Sequence, residues 1–200
     1  MKRQYLLSAV SAILLTSGLA ATGTVAANDF FSRVKNSLAA KLAPQQEVPV
    51  VSSPVAKGTF KATIDEANQT LTYELSYEGL EAAPQQAHIH IGQRSVNGGV
   101  SVFLCGNPGN TPATVPPAAF PQPPECPASP ATISGVLTPA NLVGPNGQGI
   151  APSTSGVNEF AELVAALRDG LTYANVHTTK FPGGEIRGQV RIGFLHDKDD

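Results

Sequence analysis

Between Thr59 and Tyr77 the chain alternates apolar and polar residues twice over. Phe60, Ala62 and Ile64 interleave with Thr59, Lys61 and Thr63, and beyond a turn at 66–69 the residues Leu71, Tyr73, Leu75 and Tyr77 repeat the pattern. Strand side chains change face with a period of two, so this is a hairpin with one buried face. Slipping its register by one residue would turn the whole apolar set to water. Further short runs of this kind follow at 87–91, 100–104, 131–137, 171–178 and 185–194. The segments between them are thick with breakers: 19 Gly and 17 Pro, with only 14% charged residues, disfavour long solvent-facing helices. About seven short antiparallel strands at this spacing predict one all-β domain, a β-sandwich or a small Greek-key barrel.

One short helix is expected within that domain, because Phe160, Leu163, Val164 and Leu167 share a helical face and Gly170 is placed to stop it. It follows a long loop at 138–157. Asn97-Gly98 reads as a tight turn joining the third and fourth strands, and Phe181-Pro182-Gly183-Gly184 joins the last two. In the final strand Ile186, Val190 and Ile192 are expected to face inward, with Glu185, Arg187, Gln189 and Arg191 facing out.

The N-terminus follows another logic. Lys2 and Arg3 precede an apolar run from Tyr5 to Leu15, and small residues follow up to Val25, Ala26 and Ala27. This is the pattern of a cleaved secretory signal peptide, with cleavage expected after Ala27. The apolar stretch falls short of the ~20 residues a membrane span needs, so no transmembrane segment is expected. Periplasmic or secreted localisation follows. At 28–42, Phe30, Val34, Leu38 and Leu42 recur every fourth residue, which predicts an amphipathic N-terminal helix in an arm over 28–44, suited to packing on the domain or to forming a homodimer. The domain proper is expected over 45–194, followed at 195–200 by a solvated acidic tail that includes His196.

Charge removes one class of partner. With 13 basic and 15 acidic side chains the formal net charge is -2. The leader contains Lys2 and Arg3 and no acidic residue, so the remainder is more acidic still. Nucleic-acid binding needs a clustered surplus of Lys and Arg, which is absent.

The two cysteines, Cys105 and Cys126, flank a proline-rich loop. In an oxidising compartment this even count reads as one structural disulfide. Closing a loop of about 20 residues stabilises by about 3 kcal/mol in the chain-entropy view.

Histidine carries whatever chemistry the chain has. Of four histidines, His88 and His90 form a His-x-His within a predicted strand, which places them on one face roughly 7 Å apart at Cα. His177 lies in another predicted strand and shares a face with Asn175. If the two strands are neighbours, three imidazoles meet, and three nitrogen ligands with an open position suit Cu(II) or Zn(II). The bland alternative is that these histidines hydrogen-bond loop backbone at the sandwich rim. Glu185 and Asn175 are the candidates to orient an imidazole from outside the ligand set, and for Glu185 a surface ion pair with Arg187 or Arg191 competes. Sulfur ligands are absent once Met1 is removed and the cysteines are paired. No catalytic residue is assigned: there is no Gly-x-Ser-x-Gly, no phosphate loop and no free nucleophilic cysteine.

The runs Gln46-Glu47-Val48-Pro49-Val50, Gly79-Leu80, Ala87-His88-Ile89-His90, Asn97-Gly98, Tyr173-Ala174-Asn175-Val176-His177-Thr178 and Phe181-Pro182-Gly183-Gly184-Glu185-Ile186-Arg187-Gly188-Gln189 together resemble the CHRD domain, a family named for repeats in chordin and found also in exported microbial proteins. The likeness runs in order from about Gln46 to Ile192. It departs at Val50, where a second proline is common, and in a longer insertion between Cys105 and Cys126. The resemblance implies an extracellular or periplasmic β-domain. His88-Ile89-His90 and His177 are in addition similar to the copper ligands of copper-zinc superoxide dismutases, which implies a sandwich like theirs. No histidine between His90 and His177 bridges two metals, and no zinc loop is visible, so dismutase activity is not expected. The sharper expectation is a copper-binding or zinc-binding protein for metal handling or protection. Its alternative is a metal-independent adhesion module with an extracellular protein partner. An enzymatic role ranks below both.

Overall fold

The computed structural model describes residues 34–111 and 120–193. The expected leader, the start of the arm at 28–33, the middle of the proline-rich loop and the tail with His196 lie outside the described residues. Nine strands form two antiparallel sheets within them: β1 Ser37–Leu42, β2 Lys57–Asp65, β3 Thr70–Glu78, β4 Pro84–Ile91, β5 Val100–Gly106, β6 Ala131–Leu137, β7 Thr172–Thr178, β8 Ile186–Gln189 and β9 Arg191–Ile192. Their order is β6-β3-β2-β1-β9 in one sheet and β5-β4-β7-β8 in the other, a β-sandwich as the alternation predicts.

The hairpin at 59–77 pairs as its pattern requires, with Phe60 opposite Leu75, Ala62 opposite Tyr73 and Ile64 opposite Leu71. These residues face Ile89, Val102, Leu104, Val176 and Ile186 in one buried core. Each large apolar side chain so withdrawn from water contributes about 1.5–3 kcal/mol. Tyr73 spans the layers: its hydroxyl donates to the Leu104 carbonyl at 2.6 Å, and Gly135 leaves room for its ring, since a Cβ there would lie 2.8 Å from it. Helix α1, Phe160–Arg168, buries Phe160, Leu163, Val164 and Leu167 and ends at Gly170 with φ +68°, as its pattern predicts. The Cys105–Cys126 disulfide is present, with Cα atoms 5.1 Å apart, and Asn107 braces it by accepting from the Cys126 amide.

Three sequence expectations are corrected. The helical spacing read over 28–42 does not make a helix at its end: Ser37–Leu42 is β1, paired on one side with β2 and on the other with β9. A spacing of four is also a multiple of two, so Leu38 and Leu42 share one face of a strand as readily as of a helix. With Ala40 they enter the core, and the backbone pairing available on both edges decides for the strand. The domain therefore begins before residue 45.

The second correction concerns the tight turn, which falls at 93–96, where the Val96 amide donates to the Gln93 carbonyl and Ser95 takes φ 64°. Asn97 and Gly98 lie beyond it, free for another use. The third is at the last strand, which is two. β8 and β9 belong to different sheets, so inward and outward change meaning at Val190. Arg187 and Glu185 are buried, and Ile192 is the exposed one.

Candidate metal centre

β4 and β7 lie side by side at the centre of the four-stranded sheet. Their register sets Gln86 opposite His177, His88 opposite Asn175 and His90 opposite Tyr173. Ala87, Ile89, Ala174 and Val176 point into the core, so by the period of two the three histidines project from the other face. That face is covered as well. Connecting segments close over it, and His88, His90 and His177 keep only 3%, 8% and 7% of their surface exposed.

One ring nitrogen from each histidine lies within 4.8 Å of those of the other two. The His88 ring centroid is 5.3 Å from that of His90 and 4.9 Å from that of His177. Loop carbonyls fix two of the tautomers. His90 Nδ1–H donates to the Gly98 carbonyl and His177 Nδ1–H to the Pro182 carbonyl, each at 2.9 Å, which leaves a lone pair on Nε2 of both. His88 Nδ1 approaches His177 Nε2 at 3.2 Å. Two nitrogens bound to one tetrahedral ion at about 2.0–2.1 Å would stand about 3.3 Å apart, so this spacing suits ligands of a shared ion. His90 Nε2, the nitrogen left with a lone pair, is buried without a hydrogen-bond partner, which a self-contained network of rim-bonding histidines would not leave. The donor set therefore fits a metal ion.

Burial keeps these imidazoles neutral. It holds His88 well below the usual histidine range, helped by the neighbouring His177 and His90, and it lowers His177. His90 is brought down to about 4, again chiefly by burial, against an opposing contribution from its hydrogen bond to Gly98. Neutral imidazole is the ligating form.

The residues around the trio are aromatic, amide and cationic. Phe103 on β5 packs edge-on against His88 at 4.4 Å, and Tyr173 stacks on His90 at 4.7 Å with the rings 5° apart. Asn175 is buried opposite His88, its Oδ1 without a partner. Glu185 is fully buried and away from water, so the surface ion pair that competed for it does not form. Its carboxylate accepts from Ser53 Oγ at 2.8 Å, Thr178 Oγ1 at 2.7 Å and the Glu81 amide at 2.8 Å. Among the described residues none of its hydrogen bonds reaches an imidazole, so the orienting role expected for it goes unfilled.

Three residues of this site escape a reading of patterns. Tyr173 counts there as one more strand aromatic, Arg187 as an outward charge and Glu47 as part of a loop motif. The one signal the sequence carries for them is that each lies in a run resembling a family motif, Glu47 in 46–50, Tyr173 in 173–178 and Arg187 in 181–189. Glu47 is buried, and desolvation raises its carboxyl to about 7 against the opposing pull of Arg187.

Fold and site together define an antiparallel β-sandwich domain with a buried three-histidine group on the outer face of its smaller sheet. The CHRD domain family model matches residues 38–190, from β1 to the switch at Val190. The chain belongs to the CHRD domain family. No curated protein and no solved structure matches it.

Proposed function

We propose that this CHRD domain protein binds one copper ion, or a zinc ion in its place, through His88, His90 and His177, and that it handles or sequesters the metal outside the cytoplasm. The observation that carries the reading is the convergence of three neutral imidazoles, two of them locked by backbone carbonyls with Nε2 left as a ligand. An all-imidazole set without thiolate or thioether favours Cu(II), which binds nitrogen sites more tightly than the other first-row divalent ions. The disulfide and the signal-like N-terminus support export, and no helix among the described residues is long and apolar enough to cross a membrane.

Titration calorimetry of Cu(II) and Zn(II) against the chain from Asn28 tests this, with a His88→Ala, His90→Ala double variant as control. One ion per chain, lost in the folded double variant, is the expected result. A folded wild-type protein that takes up neither metal would overturn the reading. Attention would then move to a protein partner and to the cleft of about 800 Å³ on the outer face of the larger sheet, lined by Lys41, Lys57, Thr59, Ser76 and Thr132.

A further inference from the structure

Arg187 is a long cationic side chain with 2% of its surface exposed, and it makes no ion pair among the described residues. The buried Glu47 feels its charge without pairing with it, and burying a guanidinium without a paired carboxylate costs free energy unless its N–H groups are satisfied elsewhere. Here they are. Nη1 donates to Asn97 Oδ1 at 3.0 Å, and Nη2 donates to the Val96 carbonyl at 2.7 Å and the Gln93 carbonyl at 3.3 Å. Cζ lies 3.3 Å from the Tyr173 ring centroid, a cation–π contact.

Both sets of contacts lead to the same histidine. Tyr173 is the ring stacked on His90. The turn at 93–96 and the Asn97 that follows it deliver Gly98, whose carbonyl accepts from His90 Nδ1, and the Gly98 amide donates back to Tyr173 Oη at 3.2 Å. Gly98 can lie there only because it lacks a side chain, as a Cβ would stand 1.6 Å from the Ile91 carbonyl oxygen. His177 is fixed separately, by Pro182.

We infer that Arg187 is a positioning residue of the metal centre: without touching the ligands, it holds the Tyr173 ring and the 93–98 segment that together set the orientation and tautomer of His90. Lysine cannot substitute, because a single ammonium lacks the planar fork that serves three acceptors and a ring face at once. The inference rests on the metal-binding reading for its effect on affinity, while its effect on His90 is a property of the metal-free protein.

The test uses the full chain without metal, with imidazole ¹H–¹⁵N correlation spectra read for His90 and His177 in wild type, Arg187→Lys and Asn97→Ala. In Arg187→Lys the His90 Nδ1–H signal should disappear or give way to a tautomer mixture while the His177 signal stays. Zn(II) affinity should fall by about 10–100-fold, the range for loss of a group that orients a ligand. Asn97→Ala, at an exposed side chain, should show a smaller shift of the same selectivity. An unchanged His90 signal in folded Arg187→Lys, or loss of both histidine signals together, would overturn the inference. Should Arg187→Lys not fold, an unaltered His90 tautomer in Asn97→Ala does the same. Failure of wild type to bind metal would count against the proposed function alone, since the tautomer comparison still decides the role of Arg187.

Discussion

His88 Nδ1 and His177 Nε2 face each other at 3.2 Å across two central strands. Because His177 Nδ1–H is committed to Pro182, its Nε2 is an acceptor, and in the metal-free protein His88 Nδ1 must supply the hydrogen. An ion that took both nitrogens would displace this hydrogen bond and shift the His88 hydrogen to Nε2. Addition of Zn(II) should therefore convert His88 from the Nδ1–H to the Nε2–H tautomer in imidazole NMR spectra, with His90 and His177 unchanged in tautomer. Persistence of the Nδ1–H form at saturating metal would count against His88 as an Nδ1 ligand.

His177 comes from a different strand than the His-x-His pair, so its removal separates a three-ligand site from a two-ligand one. His177→Gln keeps a polar side chain at a buried position. Metal affinity is expected to drop about 100-fold or more with the cooperative melt retained. Affinity within a few-fold of wild type would leave only the pair as ligands.

Glu47 sets a pH dependence opposite to that of an ordinary surface carboxylate. Its carboxyl is raised from 4.5 to about 7 by burial, so the folded state holds a proton that the unfolded state has released. Its contribution to stability is complete below pH 4.5 and is lost as pH rises through about 7. Glu47→Gln removes the titration. Relative to wild type, this variant should gain stability between pH 4.5 and 7 and level off above, by up to about 3 kcal/mol, at 1.36 kcal/mol per unit. Urea melts of both proteins across that range measure it, and a difference that does not vary with pH would refute the assignment.

Gly98 is constrained by space and not by φ. Gly98→Ala places a methyl group against the Ile91 carbonyl and must push the end of β4 away from the returning segment. A loss of about 1–3 kcal/mol is expected, the range for overpacking, together with a disturbed His90 Nδ1–H signal. Chemical denaturation and the same NMR spectrum report the two effects, and a stable variant with an unchanged spectrum would show that the backbone yields without cost.

The disulfide acts on the chain and leaves the site alone. Replacing Cys105 and Cys126 by serine together should cost about 3 kcal/mol by releasing the closed loop in the unfolded state. Affinity for metal in the folded variant should stay within two-fold or so, a bound that calorimetry on the same sample tests. A large loss of affinity would mean that β5 transmits strain to His88 through Phe103.

Much of the fold was legible because alternation is a local property. Phe60 to Ile64 and Leu71 to Tyr77 announce their pairing, and α1 announces its buried face. Where two periods coincide the pattern is silent, and Leu38 and Leu42 show it: their spacing satisfies a helix and a strand equally. Asn97-Gly98 misleads for a related reason. The pair is common in tight turns because of its backbone freedom, yet here Gly98 is needed for close approach to Ile91 and Asn97 for its side-chain contacts to Arg187 and the Val48 carbonyl.

Sequence by itself determined the strands, the identity of the three histidines and the fact that His88 and His90 share a face, since each follows from spacing along one segment. Tertiary structure decided that β4 lies beside β7, which brings His177 to the pair from 86 intervening residues beyond His90. It decided also that Arg187 and Glu47 are buried beside them, because burial on the outer face of a sheet depends on which loops fold over it. Those loops are held by backbone carbonyls and amides, groups that every residue carries and no side-chain pattern can announce.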